Sequence, residues 1–234
     1  MKVKFVGKSL VIGDKILVVS DLHLGYDGSL RERGYMFPFG SYRKTIDDLD
    51  KIFKFLGKKV ERIIILGDLK HEIGKVLYEE RDEVASFIKY LRKKAREIII
   101  VRGNHDVMLN YLFKDQKIKI VDFFILDKSC FLHGDREIKV MHNKKIEYWI
   151  MGHFHPAVVL QEGVKKEKYK CFLVGKHRGK EVIILPSFFS VNEGSDPRDG
   201  GVEIPWSFRL NSFNVKVVSD LEVLDFGKLG KIFN

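Results

Sequence analysis

The sequence predicts an α/β chain of two packed sheets with helices outside, on three observations. Continuously apolar runs alternate with amphipathic helical stretches in the first half, and short strand-like runs without long helices fill the second. Polar clusters rich in Asp and His stand where five of these runs end. With 234 residues, 45% of them apolar, the chain can bury one substantial core and reads as a single domain over residues 1–234.

Residues 16–20 form the first apolar run, ended by a polar cluster. Ile46, Leu49, Phe53 and Leu56 then fall at helical spacing across 43–57, with Gly57 as the stop. Residues 63–66 are a second buried strand. Val84, Phe87, Ile88 and Leu91 share one face of a helix over roughly 79–95, and 98–101 is the third strand. Strands apolar on both faces and separated by helices imply parallel pairing. Beyond residue 110, segments 118–126, 129–133, 147–152, 181–186 and 213–219 read as strands joined by short loops. The Lys-rich stretch 163–170 reads as a turn or hairpin tip. The longest irregular stretches, 28–41 and 187–205, are of the kind that carries function.

Charge points to a partner. Lys and Arg number 42 against 32 acidic residues, a formal charge of +10 that raises the local concentration of polyanions. Cys130 and Cys171 form no C-x-x-C pair, which argues against a disulfide scaffold. The apolar runs are too short to span a bilayer, and the N-terminal pattern breaks at Gly7, Lys8 and Ser9. The expectation is a cytoplasmic protein with no membrane partner.

The clusters at the strand ends carry the chemistry. They are Asp21-Leu22-His23, Gly67-Asp68 with Lys70-His71, Gly103-Asn104-His105-Asp106, His133-Gly134-Asp135, and Gly152-His153-Phe154-His155. Ligands of open α/β sheets collect beyond the carboxyl ends of strands, so separate clusters can meet in one crevice. In an extended segment residues i and i+2 point the same way, so Asp21 with His23, and His153 with His155, each offer two ligands to one side. Imidazole, carboxylate and one amide oxygen, without thiolate, suit Mn, Fe, Zn, Co or Ni.

The ordered series Asp-x-His, Gly-Asp-x-x-His, Gly-Asn-His-Asp, His-Gly-Asp and Gly-His-x-His, from Asp21 to His155, resembles the calcineurin-like metallophosphoesterase superfamily. The resemblance implies a four-layer αββα sandwich and two divalent ions, Mn first among those named. It implies that Asp21, His23 and His155 hold one ion, that Asn104, His133 and His153 hold the other, and that Asp68 bridges them. It implies attack on phosphorus by a metal-bridging hydroxide. His105 would assist the leaving oxygen and Asp106 would orient the His105 ring.

Arg31 to Gly40 and Leu185-Pro186-Ser187-Phe188 resemble a smaller group, the compact archaeal and bacterial phosphoesterases associated with DNA ligase or large helicases. That likeness implies a phosphodiesterase or nuclease acting on DNA, single-stranded or irregularly structured, with a ligase or helicase as a further partner. His71 would contact the scissile phosphate or brace Asp68; Arg31 and Arg33 would clamp phosphate or be solvated loop charge; Arg102 would reach a phosphate or form a structural ion pair; Asp135 would help His133. The basic runs 89–96 and 165–170 would track a nucleic-acid backbone or be solvated surface. Loop aromatics Tyr26, Tyr35, Phe37, Phe39, Phe188 and Phe189 would stack on bases; the other reading is core for Phe188 and Phe189 and ordinary loop aromatics for the rest. His142 and His177 read as surface imidazoles. Two other functions fit the same residues: hydrolysis of a small cyclic or dinucleotide, and a non-catalytic scaffold. Oligomeric state is left open.

Overall fold

The computed structural model describes residues 1–35, 40–113, 118–199 and 207–232. Strands β1 (Val3–Val6), β2 (Ser9–Ile12) and β3 (Ile16–Val19) form an antiparallel meander. Helices α1 (Tyr26–Glu32) and α2 (Ser41–Leu56) follow, then β4 (Val60–Leu66), α3 (Tyr78–Lys94), β5 (Ala95–Val101), the short α4 (Leu109–Leu112) and β6 (Lys119–Val121). The first sheet has the order β1-β2-β3-β4-β5-β6, with β3 through β6 parallel.

The chain then crosses to a second sheet. Its strands are β7 (Phe124–Leu126), β8 (Ser129–Leu132), β9 (Tyr148–Met151), β10 (Ala157–Glu162), β11 (Lys165–His177), β12 (Lys180–Ile184), β13 (Asn214–Ser219) and β14 (Glu222–Lys228). The order is β14-β13-β11-β12-β9-β8-β7, with β10 paired to the first half of β11. Strands β8, β9 and β12 run parallel. Both sheets therefore contain a parallel block, and the carboxyl ends of those blocks carry the Asp and His clusters.

The middle of the sandwich is apolar from both sides. Val18, Ile64, Leu66, Ile99 and Val101 of the first sheet meet Phe131, Ile150, Phe172 and Ile183 of the second. Each such side chain, fully buried, contributes about 1.5–3 kcal/mol. Outside the first sheet, α2 buries Leu49, Ile52 and Phe53, and α3 buries Val84, Phe87, Ile88 and Leu91. Gly57, at φ 66°, caps α2 by donating its N–H to the Phe53 carbonyl. The second sheet's outer cover, among the described residues, is thinner: the 3-10 turns at Lys139–His142 and Leu210–Ser212, with Phe208 and Ile232. No helix among the described residues is long and apolar enough to cross a membrane.

Several sequence expectations need correction. Segment 118–126 is two strands in two sheets, broken at Asp122 and Phe123 where the chain changes layer. Segment 163–170 is a tip only at Gly163 and Val164; Lys165 onward is the first half of β11. Part of the irregular stretch 28–41 is the end of α1, while residues 36–39 lie outside the described residues, as do 200–205 of the second stretch.

Candidate metal centre

Each cluster begins where a parallel strand stops. The residues after β3, β4 and β9 take left-handed backbone conformations at Asp21 (φ 53°), His23 (φ 48°), Asp68 (φ 49°), His153 (φ 71°) and His155 (φ 43°). Such φ values are uncommon outside glycine, and Asp and His are among the types that accept them. The pleat argument for Asp21 with His23, and for His153 with His155, is thus replaced. Left-handed kinks, not extended backbone, bring each pair to one side while Leu22 and Phe154 between them stay buried. Two glycines permit the crowding: a Cβ at Gly103 would collide with Asp68, and one at Gly152 with Ser20 Oγ and Asp21.

The side chains converge in two groups around Asp68. On one side, His155 Nε2 lies 3.3 Å from Asp21 Oδ1, and His23 Nε2 lies 3.8 Å from Asp68 Oδ2. On the other, His133 Nε2 lies 3.5 Å from Asp68 Oδ1, 3.0 Å from Asn104 Oδ1 and 3.1 Å from His153 Nδ1. Asp68 therefore presents one oxygen to each group. All seven residues read as ligands meet in this one place, as do His71 and His105, whose rings sit 5.5 Å and 4.9 Å from that of His23. His142 and His177 lie apart: the first pairs with Glu137, the second packs on Trp149 and Phe208.

These residues fit divalent cations. His133 Nδ1 donates to the Leu66 carbonyl at 2.8 Å, so the neutral ring turns an Nε2 lone pair toward Asn104, His153 and Asp68. Lone pairs so close repel unless a proton or cation sits among them. Burial opposes charge on His133, yet Asp68 and Asp21 push its pKa up to about 10, which measures how strongly the pocket favours a cation. His23 Nδ1 and His155 Nε2 are buried without a hydrogen-bond partner. Burial drives the His23 pKa down to about 3, leaving a neutral ring with a lone pair to give.

Burial also works against the charges of Asp21 and Asp68, but the surrounding imidazoles outweigh it: chiefly His155 for Asp21 and His133 for Asp68. Both carboxyls stay below the ordinary range. Further bonds fix the carboxylates. Ser20 Oγ donates to Asp21 Oδ2 at 2.6 Å, the His153 N–H reaches Asp21 at 3.1 Å, and the His105 N–H reaches Asp68 Oδ1 at 3.0 Å.

Other sequence expectations change here. Asp106 does not touch the His105 ring; its carboxylate accepts the backbone N–H groups of Leu69, Lys70 and Gly103 at 3.0–3.3 Å. The His105 Nδ1 instead meets the His71 carbonyl. Arg102 pairs with Asp122, as its ion-pair reading has it, while Arg31 pairs with Glu79 and Arg33 with Glu72 and so neither is unpaired loop charge. His133 is steadied by Leu66 rather than Asp135. Phe188 and Phe189 are core, although Phe189 also lies 5.6 Å from the His23 ring and 4.8 Å from that of Tyr26. Tyr35 is exposed, and Phe37 and Phe39 lie outside the described residues.

Sequence reasoning missed several supports. The Asn192 side-chain amide meets His155 Nδ1 at 2.9 Å and so fixes the orientation of that ring. Ser187 Oγ donates to the Asp21 carbonyl, and buried Glu80 holds the N–H groups of His71 and Glu72 at 2.9 and 2.8 Å. No spacing pattern marks these residues: Ser187 and Asn192 act from a distant part of the chain, and Glu80 from the first turn of α3.

A family model for the calcineurin-like phosphoesterase matches residues 14–218. No curated protein matches the chain. Among solved structures, the nuclease MPE of Pseudomonas putida superposes with a TM-score of 0.64 at 19% identity, covering 96% of this chain and 94% of that one. Zinc-bound Vps29 of Entamoeba histolytica gives a TM-score of 0.40 at 17% identity, over 91% of this chain and 99% of that one.

Proposed function

The chain belongs to the calcineurin-like phosphoesterase family, and from that premise we propose that it is a two-ion phosphodiesterase that cleaves DNA, single-stranded or irregularly structured. The observation that carries the two-ion reading is Asp68, whose oxygens face two separate groups of ligands, His23 on one side and His133 on the other. Asp21, His23 and His155 would hold one ion; Asn104, His133 and His153 would hold the second. Bound divalent ions would supply Lewis-acid activation of water and neutralise charge on the phosphoryl oxygens; Mn is the first choice by the sequence resemblance, and the donor set also admits Fe, Zn, Co or Ni.

The protein's own part is positioning and proton transfer. His105 donates through Nδ1 to the His71 carbonyl, which turns Nε2 toward the pocket, 3.9 Å from Asp68 Oδ2. With both ring nitrogens protonated, Nε2 would give its proton to the departing ester oxygen. The His71 ring lies beside it, and burial drives its pKa down to about 4, so it would meet phosphate as a neutral donor. The charge of +10 supports a polyanionic substrate, and the fold is one that a bacterial nuclease also uses. A DNA ligase or helicase working beside it belongs to this proposal through the sequence resemblance.

The deciding test is cleavage of an end-labelled single-stranded oligonucleotide with Mn²⁺, with His105→Ala prepared in parallel. Cutting by the parent, reduced about 10²–10⁴-fold in the variant at unchanged metal content, is the expected result. A metal-loaded parent that leaves DNA intact but hydrolyses a cyclic dinucleotide would overturn the DNA assignment.

A further inference from the structure

Behind the metal centre lies a cavity of about 250 Å³, bounded by the β1–β2 turn, α2, β11 and the β13–β14 turn. Five lysines line it: Lys8, Lys44, Lys51, Lys168 and Lys170. Only two carboxylates join them, Asp48, which pairs with Lys8 and Lys44, and Asp220, which pairs with Lys51. Ile52, Val218 and Leu221 supply apolar wall.

Lys170 is the unusual member. Its half-buried ammonium donates to the carbonyls of Ser187 and Phe189, and among the described residues it has no carboxylate partner. One of its three N–H groups is left for the cavity that it lines. Burial, helped by repulsion from Lys8, pushes its pKa down to about 7, the mark of an ammonium short of counter-charge. Lys8 donates in turn to the Phe188 carbonyl. The segment 187–189 that carries these carbonyls is bonded on its other side to Ser20 and Asp21, through the N–H groups of Phe188 and Phe189 and through Ser187 Oγ.

We propose that this lysine cavity is a second anion site, distinct from the metal centre, that takes a phosphate group. The excess of positive charge selects an anion, and lysines drawn from several elements around one cavity suit the several oxygens of a phosphate. The volume is below the ~300–1,000 Å³ of pockets for drug-sized ligands, so the occupant is inorganic phosphate or the terminal phosphate of a nucleic acid. Its hydrogen bonds to segment 187–189 join the cavity to the backbone of a metal-ligand loop. The proposal does not depend on the phosphodiesterase reading.

Chelator-treated full-length protein tests it by calorimetric titration with inorganic phosphate. One site is expected, weakened at least about tenfold by Lys170→Met and by Lys51→Met, the latter an exposed position that leaves folding intact, and unchanged by His153→Ala. Competition by a 5′-phosphorylated oligonucleotide but not its 5′-hydroxyl counterpart would identify the source as a nucleic-acid end; competition by neither would identify free phosphate. Absence of binding at millimolar phosphate, or binding that His153→Ala abolishes and both lysine variants retain, would overturn the proposal.

Discussion

The backbone carbonyl of His71 holds the imidazole of His105 through Nδ1. One histidine thus contributes its main chain to the orientation of another, while its own ring stays free to face the pocket. The contact is in turn anchored from beneath. Glu80, fully buried, binds the His71 N–H and pairs with the buried Lys70, 3.4 Å away.

That division of labour separates two substitutions. His71→Ala removes the ring but keeps the carbonyl, so it should raise KM while leaving kcat and its pH profile near those of the parent. His105→Ala should lower kcat with KM little changed. Steady-state kinetics across pH checks this, and a large loss of kcat in His71→Ala would mean that its ring takes part in the proton transfer.

Removing the anchor should be costly. Glu80→Ala leaves the Lys70 ammonium buried without its partner and frees two backbone N–H groups, a loss of about 3–5 kcal/mol. Glu80→Gln keeps an acceptor for those groups and should lose less. Urea unfolding of both variants measures the difference, and equal losses would show that the charge of the buried pair, rather than the acceptor that Gln retains, carries the stability.

Asp106 should behave as a brace of the loops rather than a partner of His105. Asp106→Ala leaves the N–H groups of Gly103, Leu69 and Lys70 without their acceptor, at about 1–3 kcal/mol for each that stays buried and unpaired. Metal affinity should fall with stability, because Gly103 and Leu69 flank Asn104 and Asp68. The pH dependence of kcat should stay in place. A displaced profile would restore Asp106 to the role that the sequence resemblance implies.

The legible part of this molecule was the part written in apolar periodicity. The runs of β3, β4 and β5 and the faces of α2 and α3 announce themselves, because burial selects their residues one by one. The first half of β11 was hidden, since Lys165, Lys166, Lys168 and Lys170 stand on a hairpin that leaves the sheet and has no core to alternate against. The corner at Asp122 carries neither glycine nor proline to mark it. In the site, residue types identified the candidate ligands, whereas the left-handed kinks that aim them, and the supports from Ser187 and Asn192, depend on tertiary packing.

Metal should stabilise the fold, because it relieves the crowding of lone pairs at His133, His153 and Asn104. A hundredfold excess of Mn²⁺ over its Kd adds about 2.7 kcal/mol. For a chain of this length each kcal/mol raises Tm by roughly 2–4 °C, so a rise of about 5–10 °C is expected for each ion bound, reversed by chelator. Asp68→Asn removes the shared charge and should abolish most of the rise while keeping an acceptor for the His105 N–H. Elemental analysis of the loaded parent should find two ions per chain; one ion alone would confine the chemistry to a single group of ligands.

The charge on Lys170 should appear in the pH dependence of stability. Burial lowers its pKa in the folded chain to about 7 from the ordinary 10.5, so between those values the unfolded chain binds the proton and the folded chain does not. Stability from this group therefore rises as pH increases from about 7 toward 10.5, and is lowest below 7, where the folded protein must carry a buried ammonium. Lys170→Met should remove that increment, so that the ratio of variant to parent stability is greatest near pH 6 and declines in alkali. Phosphate in the cavity would supply the missing counter-charge and should flatten the parent's profile toward that of the variant. Urea unfolding from pH 6 to 10, with and without phosphate, reads both effects; a parent whose profile matches the variant's at every pH would place the Lys170 ammonium in solvent rather than in the wall of the cavity.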